Sequence, residues 1–350
     1  MPSRFCKSLI ILFCCLLIAA VLVCSGSRAA RGDTQDNLAF TTPPNQGQPV
    51  EVRIGVYLTN LAQIDELLEQ FQVKGTLFAR WRDPRLAAKP GENVDRVKLF
   101  RPGEIWLPKL EMINSVSPRE QHDITITVDP SGTVEYAEVF AVTLSTQLRL
   151  RSFPFDSQSL AILVRPLRSP DQPVTLVADS TRCGSSVQLA QWRTLGLDTS
   201  IGTATTLENA PPLPQVSFYL RVKRRYIFYV WKVFVPLVVM VMISWTAFWI
   251  RLDDHYSQMT VALTTILTVI AFAFSISSSL PRLPYLTLID AFFLISYLFV
   301  FSAILEHVAI HNLLDAKRES TARRFRQFSR WLFPVAYLII NTVVAWRFAA

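Results

Sequence analysis

Apolar and polar positions divide the chain into two halves. From Asp33 to Arg225 they alternate in short runs. Val52–Tyr57, Val73–Phe78 and Ile124–Val128 have the period of two expected of half-buried strands. Glu138–Leu144, Ser159–Val164, Val174–Val177 and Ser217–Lys223 read the same way. Asp129-Pro130-Ser131-Gly132 predicts a tight turn, and Leu61–Gln70 predicts the one helix of this half. Short strands separated by turns bearing proline or glycine predict a β-sandwich. From Tyr226 onward the alternation gives way to long apolar runs, which predict membrane spans at 226–250, 257–280, 285–305 and 331–347. The last is short, and Arg330 and Arg347 are its interfacial anchors. The predicted class is a β + α membrane protein, with domains at 31–225 and 226–350.

Residues 1–30 form a separate unit. Arg4 and Lys7 precede the uncharged stretch Leu9–Val23, which ends in small residues, the layout of a secretory signal peptide; a retained anchor helix is the alternative. Four of the five cysteines lie in this leader, so cleavage leaves Cys183 alone and no disulfide within the chain. The exported domain of roughly 190 residues is long enough to stand on a hydrophobic core without one. Export places the 251–256 turn and the basic 311–330 connection inside the cell, in agreement with the positive-inside rule. The location implied is a cell membrane crossed several times, with the first domain outside.

The formal charge of +8 does not indicate nucleic acid, because the densest basic cluster (Lys317, Arg318, Arg323, Arg324, Arg326, Arg330) lies between two apolar spans. No catalytic constellation and no cofactor motif stands out. His122, His255, His307 and His311 are dispersed. His307 and His311 are one turn apart, but lack a third metal ligand.

The second span differs from its neighbours. Residues 257–280 carry no charge but, after Ser257, eight further hydroxyl side chains. At about 100° per residue, Thr260, Thr264, Leu267, Ala271, Phe274 and Ser278 share one face. Such a face suits a pore lining, with Leu267 and Phe274 as apolar constrictions that close by dewetting. Small polar residues also pack helix against helix without any pore. A membrane-anchored sensor that binds a ligand without conducting therefore stays open as a second reading.

Several motifs occur together: Leu267–Phe274 followed by Leu280-Pro281-Arg282-Leu283-Pro284-Tyr285, Trp81-Arg82-Asp83-Pro84-Arg85-Leu86, Trp106-Leu107-Pro108, Phe153-Pro154-Phe155-Asp156, and Pro236 in the first span. In these the chain resembles the pentameric ligand-gated ion channels, most of all bacterial members of the Erwinia-channel type. The resemblance implies an extracellular immunoglobulin-like β-sandwich above a four-helix transmembrane bundle. Five identical subunits would surround one pore, with membrane lipid, permeant inorganic ions and a small-molecule agonist as partners. The positions of the eukaryotic disulfide loop correspond to Thr146 and Leu160, so that loop is open here.

The resemblance also assigns residues. Asp156, bridging Arg151 and Arg224, would lock the Phe153-Pro154-Phe155 loop to the membrane domain and press on Pro281, Arg282 and Pro284, with the turn near Glu69–Lys74 as a second contact. The agonist site would lie between subunits, with Trp81 as its remaining aromatic residue. Ile113 and Leu167 stand where aromatic residues are expected, and Arg80, Arg82, Arg165 and Arg168 lie nearby. Guanidinium groups clamp carboxylates, so an anionic agonist is one expectation; pairing of these arginines with Asp83 and Asp171 is the other. Ser257 replaces a glutamate common in cation-selective relatives, and Asp253 and Asp254 could attract cations at the inner mouth.

Overall fold

The computed structural model describes residues 40–45, 48–88, 97–167, 174–179, 182–183, 187, 189–204, 212–278 and 283–349. The expected leader, with its four cysteines, lies outside the described residues, as do Arg168, Asp171, Pro281 and Arg282.

Eleven strands build the first domain among the described residues. They are β1 (Val50–Asp65), β2 (Gln70–Arg82), β3 (Lys98–Phe100), β4 (Leu110–Met112), β5 (Glu120–Val128), β6 (Thr133–Ser145), β7 (Ser157–Pro166), β8 (Val174–Ala178), β9 (Arg182–Cys183), β10 (Trp192–Ala204) and β11 (Leu213–Arg224). One sheet runs β3-β5-β6-β2-β1-β8 with β9 also paired to β1, and the other runs β10-β11-β7-β4. All seven sequence-predicted strand segments fall inside these strands. Alternation decides which side chains face inward. On β2, Phe71, Val73, Leu77, Ala79 and Trp81 are buried, while Gln72, Lys74, Phe78 and Arg80 are exposed.

The expected helix at Leu61–Gln70 is absent. β1 runs through Asp65, a turn covers 66–69, and β2 begins at Gln70. Two register shifts, between Leu58 and Asn60 and between Leu61 and Gln63, let Leu58, Leu61 and Ile64 all reach the core. Their helix-like spacing of three is thus produced by a bulged strand. The Asp129–Gly132 turn forms as expected, with Gly132 at φ +80. A Cβ on Gly132 would lie 2.5 Å from the Asp83 carbonyl, and the Asp83 N–H donates to the Gly132 carbonyl at 2.8 Å. Only glycine admits that approach.

Four helices follow that are long and apolar enough to cross a membrane: α1 (Ile227–Trp249), α2 (His255–Ser277), α3 (Leu288–Asp315) and α4 (Glu319–Ala349). A π-helical turn, Val230–Phe234, precedes Pro236 in α1. Proline lacks an N–H and crowds the preceding turn, and the wider turn accommodates both. Two helices outrun their predicted spans. α3 continues to Asp315 and α4 begins at Glu319, because the basic connection is itself helical, with Ala322, Arg326 and Ser329 buried against the bundle.

Candidate functional site

Two regions draw the sequence-predicted residues together: the face of α2 and the junction between the domains. On α2, Gln258, Ala262, Thr265 and Val269 are buried against the rest of the chain, and Thr260, Thr264, Leu267, Ala271, Phe274 and Ser278 are all exposed. Leu267 is 66% exposed and Phe274 73%. The stripe therefore faces away from its own chain as one continuous face. Two of its hydroxyl hydrogens turn inward: Thr260 Oγ1 donates to the Tyr256 carbonyl at 2.7 Å and Ser278 Oγ to the Ser275 carbonyl at 2.8 Å. With these hydrogens engaged by the backbone, the hydroxyl oxygens present lone pairs outward.

The inner end of α2 is capped by Asp254, whose carboxylate accepts from the Ser257 N–H at 3.1 Å. Asp253 pairs with Arg251 at 2.8 Å. The hydrogen bonds from Arg251 to Asp253 and from Ser257 to Asp254 hold both carboxyls below their ordinary range, so both are charged at neutral pH.

At the junction, Arg224 ends β11 with a fully buried side chain. Its Nε donates to Asp156 Oδ1 at 2.8 Å, Nη2 to Asp156 Oδ2 at 3.3 Å, and Nη1 to Glu66 Oε1 at 2.6 Å. The guanidinium carbon lies 4.5 Å from the ring centroid of Phe153 and 4.0 Å from that of Trp192. Burial pulls the Arg224 pKa down, but Asp156 and Glu66 more than offset it, and the net shift is upward. Asp156 also accepts from Gln158 Nε2 at 2.5 Å.

The expected arrangement, one carboxylate between two arginines, is inverted: one arginine sits between two carboxylates. Arg151 is exposed, and its carbonyl accepts from the Leu288 N–H at 3.1 Å at the start of α3. Glu66 belongs to the 66–69 turn, where sequence reasoning had expected a helix. Its carboxylate is the partner that reading missed, and only the hairpin brings it there.

The loop around cis Pro154 carries the other side of the junction. The Phe153 ring meets Tyr229 of α1 at 4.7 Å, and Phe155 meets Tyr226 at 5.0 Å. Tyr285 Oη accepts from the Leu150 N–H at 3.3 Å, joining the segment after α2 to the same loop, with the exposed Pro284 beside it.

The residues expected at an agonist site are spread out. Trp81 is 2% exposed, its ring T-shaped against Trp106 at 5.8 Å, and so lies in the sandwich core rather than on a ligand-facing surface. Arg80 pairs with Glu135 at 2.7 Å and Asp179 at 3.8 Å, and Arg165 with Glu111 at 2.6 Å. Asp83 pairs instead with Arg85 at 2.8 Å and caps the short 84–86 turn. Arg82 and Leu167 are exposed and Ile113 is half-buried. Arg80 and Arg82 belong to β2 in one sheet, while Arg165, Ile113 and Leu167 lie along the β4–β7 edge of the other.

His311 packs against His255 with ring centroids 4.2 Å apart, whereas His307 is buried beside Glu306, so the two do not converge. No group of three metal-ligating side chains occurs among the described residues.

Comparison with known proteins agrees with this architecture. Residues 33–226 match the neurotransmitter-gated ion-channel ligand binding domain, and residues 233–327 the neurotransmitter-gated ion-channel transmembrane region. A proton-gated ion channel from Gloeobacter violaceus is 30% identical over 87% of this chain and 85% of its own length. The human gamma-aminobutyric acid receptor subunit gamma-3 is 23% identical over 81% of the chain, which spans 63% of that relative, and the mouse rho-2 subunit is 27% identical over 82%, spanning 64%. With one match covering more than half the chain and both halves accounted for in order, the chain belongs to the neurotransmitter-gated ion-channel family.

Proposed function

We propose that five copies of this chain assemble around a pore lined by α2, and that binding of an agonist to the extracellular domains opens it to cations. The single observation that carries this reading is the exposure of a charge-free face on α2. Leu267 and Phe274 turn away from their own chain although buried positions alternate with them along the same helix. Five such faces around an axis bring Leu267 and Phe274 into two apolar rings, narrow enough to dewet, with hydroxyl rings at Thr260 and Thr264 on the inner side of them and at Ser278 on the outer side. Outward lone pairs on Thr260 and Ser278 and the charged Asp253 and Asp254 at the inner mouth both favour cations.

The agonist site in this reading lies between subunits, where the β4–β7 edge of one chain (Ile113, Arg165, Leu167) would meet the β2 face of the next (Arg80, Arg82). The Arg224–Asp156–Glu66 cluster would carry movement there to the pore, because it ties the end of β11, the loop before β7 and the 66–69 turn to Tyr229 at the start of α1.

Cysteine substitution with voltage clamp tests the reading. A cationic thiol reagent is expected to alter current through Leu267→Cys and Ser278→Cys and to leave Thr265→Cys, on the buried face, unaffected. Reversal potentials in a salt gradient should follow the cation. A protein that is monomeric in detergent and silent in the bilayer would sink the proposal and favour a non-conducting sensor.

A further inference from the structure

We propose that the inner end of the helical bundle carries a two-histidine site for a divalent transition-metal ion, Ni2+ or Cu2+ in preference to Zn2+, formed within one chain by His255 of α2 and His311 of α3. The two rings meet across the helices with centroids 4.2 Å apart and planes at 61°. His255 opens α2 and, at about 100° per residue, continues the face of Gln258, Ala262 and Val269 that is buried against the chain. It therefore lies off the exposed stripe that runs from Thr260 to Ser278. His311 stands one turn after the buried His307 and is itself 50% exposed, so water and a dissolved ion reach the pair. Among the described residues no hydrogen bond ties either ring, and the charged group beside His311 Nε2 is Asp315 Oδ2 at 3.6 Å.

Neutral imidazole binds Ni2+, Cu2+ and Zn2+ through one ring nitrogen, whereas Mg2+ and Ca2+ take oxygen ligands. Distance separates the first three. A nitrogen held about 2.1 Å from a metal places its ring centroid about 3.2 Å from that metal. Two rings at the right angle of a square-planar or octahedral ion then have centroids about 4.5 Å apart, and two at a tetrahedral angle about 5.2 Å. The observed 4.2 Å lies nearer the first. The rings meet edge to face, and the half-exposed His311 has room to turn a nitrogen toward a shared ion while both helices stay in place. Asp315, one turn further along α3, fits an outer role: a carboxylate beside Nε2 attracts the ring proton there and leaves Nδ1 for the metal. Water completes the coordination, since no group of three metal-ligating side chains occurs among the described residues. An ion held this way pins the first turn of α2 to the end of α3.

The test uses the full-length protein in detergent, purified without a polyhistidine tag. Neither assembly nor current enters the result, so it stands apart from the channel reading. Pulsed electron paramagnetic resonance of added Cu2+ is expected to show two equatorial imidazoles, and only one in His255→Ala or in His311→Ala. By titration calorimetry each of these substitutions should weaken Ni2+ by about tenfold or more, because the second ligand of a linked pair binds intramolecularly. His122→Ala and Asp253→Asn should leave both readings unchanged, and Mg2+ should give no binding heat. A single imidazole on Cu2+ in the unsubstituted protein, a Ni2+ affinity indifferent to either His255→Ala or His311→Ala, or loss of binding through His122→Ala or Asp253→Asn would each overturn the proposal. Zn2+ bound more tightly than Ni2+ would overturn the stated preference.

Discussion

Two buried arginines hold the two ends of the molecule, and they do so differently. Arg224 sits where the sandwich meets α1, between two carboxylates, with aromatic rings of Phe153 and Trp192 on its faces. Arg326 sits at the inner end of the bundle with one carboxylate, Glu306 at 3.2 Å, and completes its contacts with the Gln258 side chain at 2.9 Å and the carbonyls of Ala247 and Ile250 at 3.5 Å. Both side chains are almost wholly buried. The first cluster carries a net negative charge next to the outer membrane face, and the second is neutral as a pair and otherwise satisfied by dipoles. A neutral, dipole-satisfied pair suits a fixed clamp joining α4 to the ends of α1, α2 and α3. In the proposed coupling role, a cluster with one carboxylate in excess would let Arg224 pass from one acid to the other, as a moving joint requires.

That contrast predicts an order of effects. Removing Arg224 leaves two acids near each other in a buried place, so Arg224→Ala should have the largest effect, about 3–5 kcal/mol of lost stability, read as a fall in the unfolding midpoint of the purified protein. Arg224→Lys should recover only part of it, since lysine cannot span both acids in one plane. Next comes Arg326→Gln, expected to cost roughly 2–4 kcal/mol, because one buried carboxylate loses its partner. Replacing both members, Arg326→Met with Glu306→Leu, should be close to neutral by the same measurement. A loss there as large as that of Arg224→Ala would erase the distinction between clamp and joint.

Within the joint, a double-mutant cycle should give a larger coupling for Arg224 with Asp156 than with Glu66. Asp156 takes two of the bonds and is 2% exposed, whereas Glu66 takes one and is 19% exposed. Equal couplings would make the two acids interchangeable.

The smallest effect belongs to the cap of α2. The folded-state pKa of Asp254 lies below its ordinary value of 3.8, so its contribution is fully present above that value and is lost as pH falls through the lowered one. Helical signal and unfolding midpoint should therefore respond to Asp254→Ala at neutral pH and cease to respond in strong acid.

Legibility in the sequence varied with the range of the interaction that decides each feature. The strands of the sandwich were readable because a period of two is local, and the α2 stripe because helical geometry maps residue number onto angle. The stripe was read as one face from Thr260 to Ser278, and the fold exposes that same face. Leu61–Gln70 failed for the converse reason: two bulges displace the inward positions of β1, and a bulge depends on the partner strand. The misassignment had a consequence at the junction, since it hid Glu66 and assigned Arg151 to a role that Glu66 fills from the other side of the charge balance. Trp81 misled in a related way. An aromatic residue in a strand next to arginines looks ready for a ligand, but its parity along β2 turns it into the core beside Trp106.

The sequence by itself determined the division into an exported β-rich half and a membrane half, the order of the elements, and the residues that share the exposed face of α2. These follow from hydrophobic periodicity and run length, which act between neighbours along the chain. Only the tertiary structure decided which acids meet Arg224 and that Arg80 and Arg165 are already paired. Each of those depends on side chains far apart in sequence, where the burial of a charge or a donor is settled by whatever the fold brings beside it.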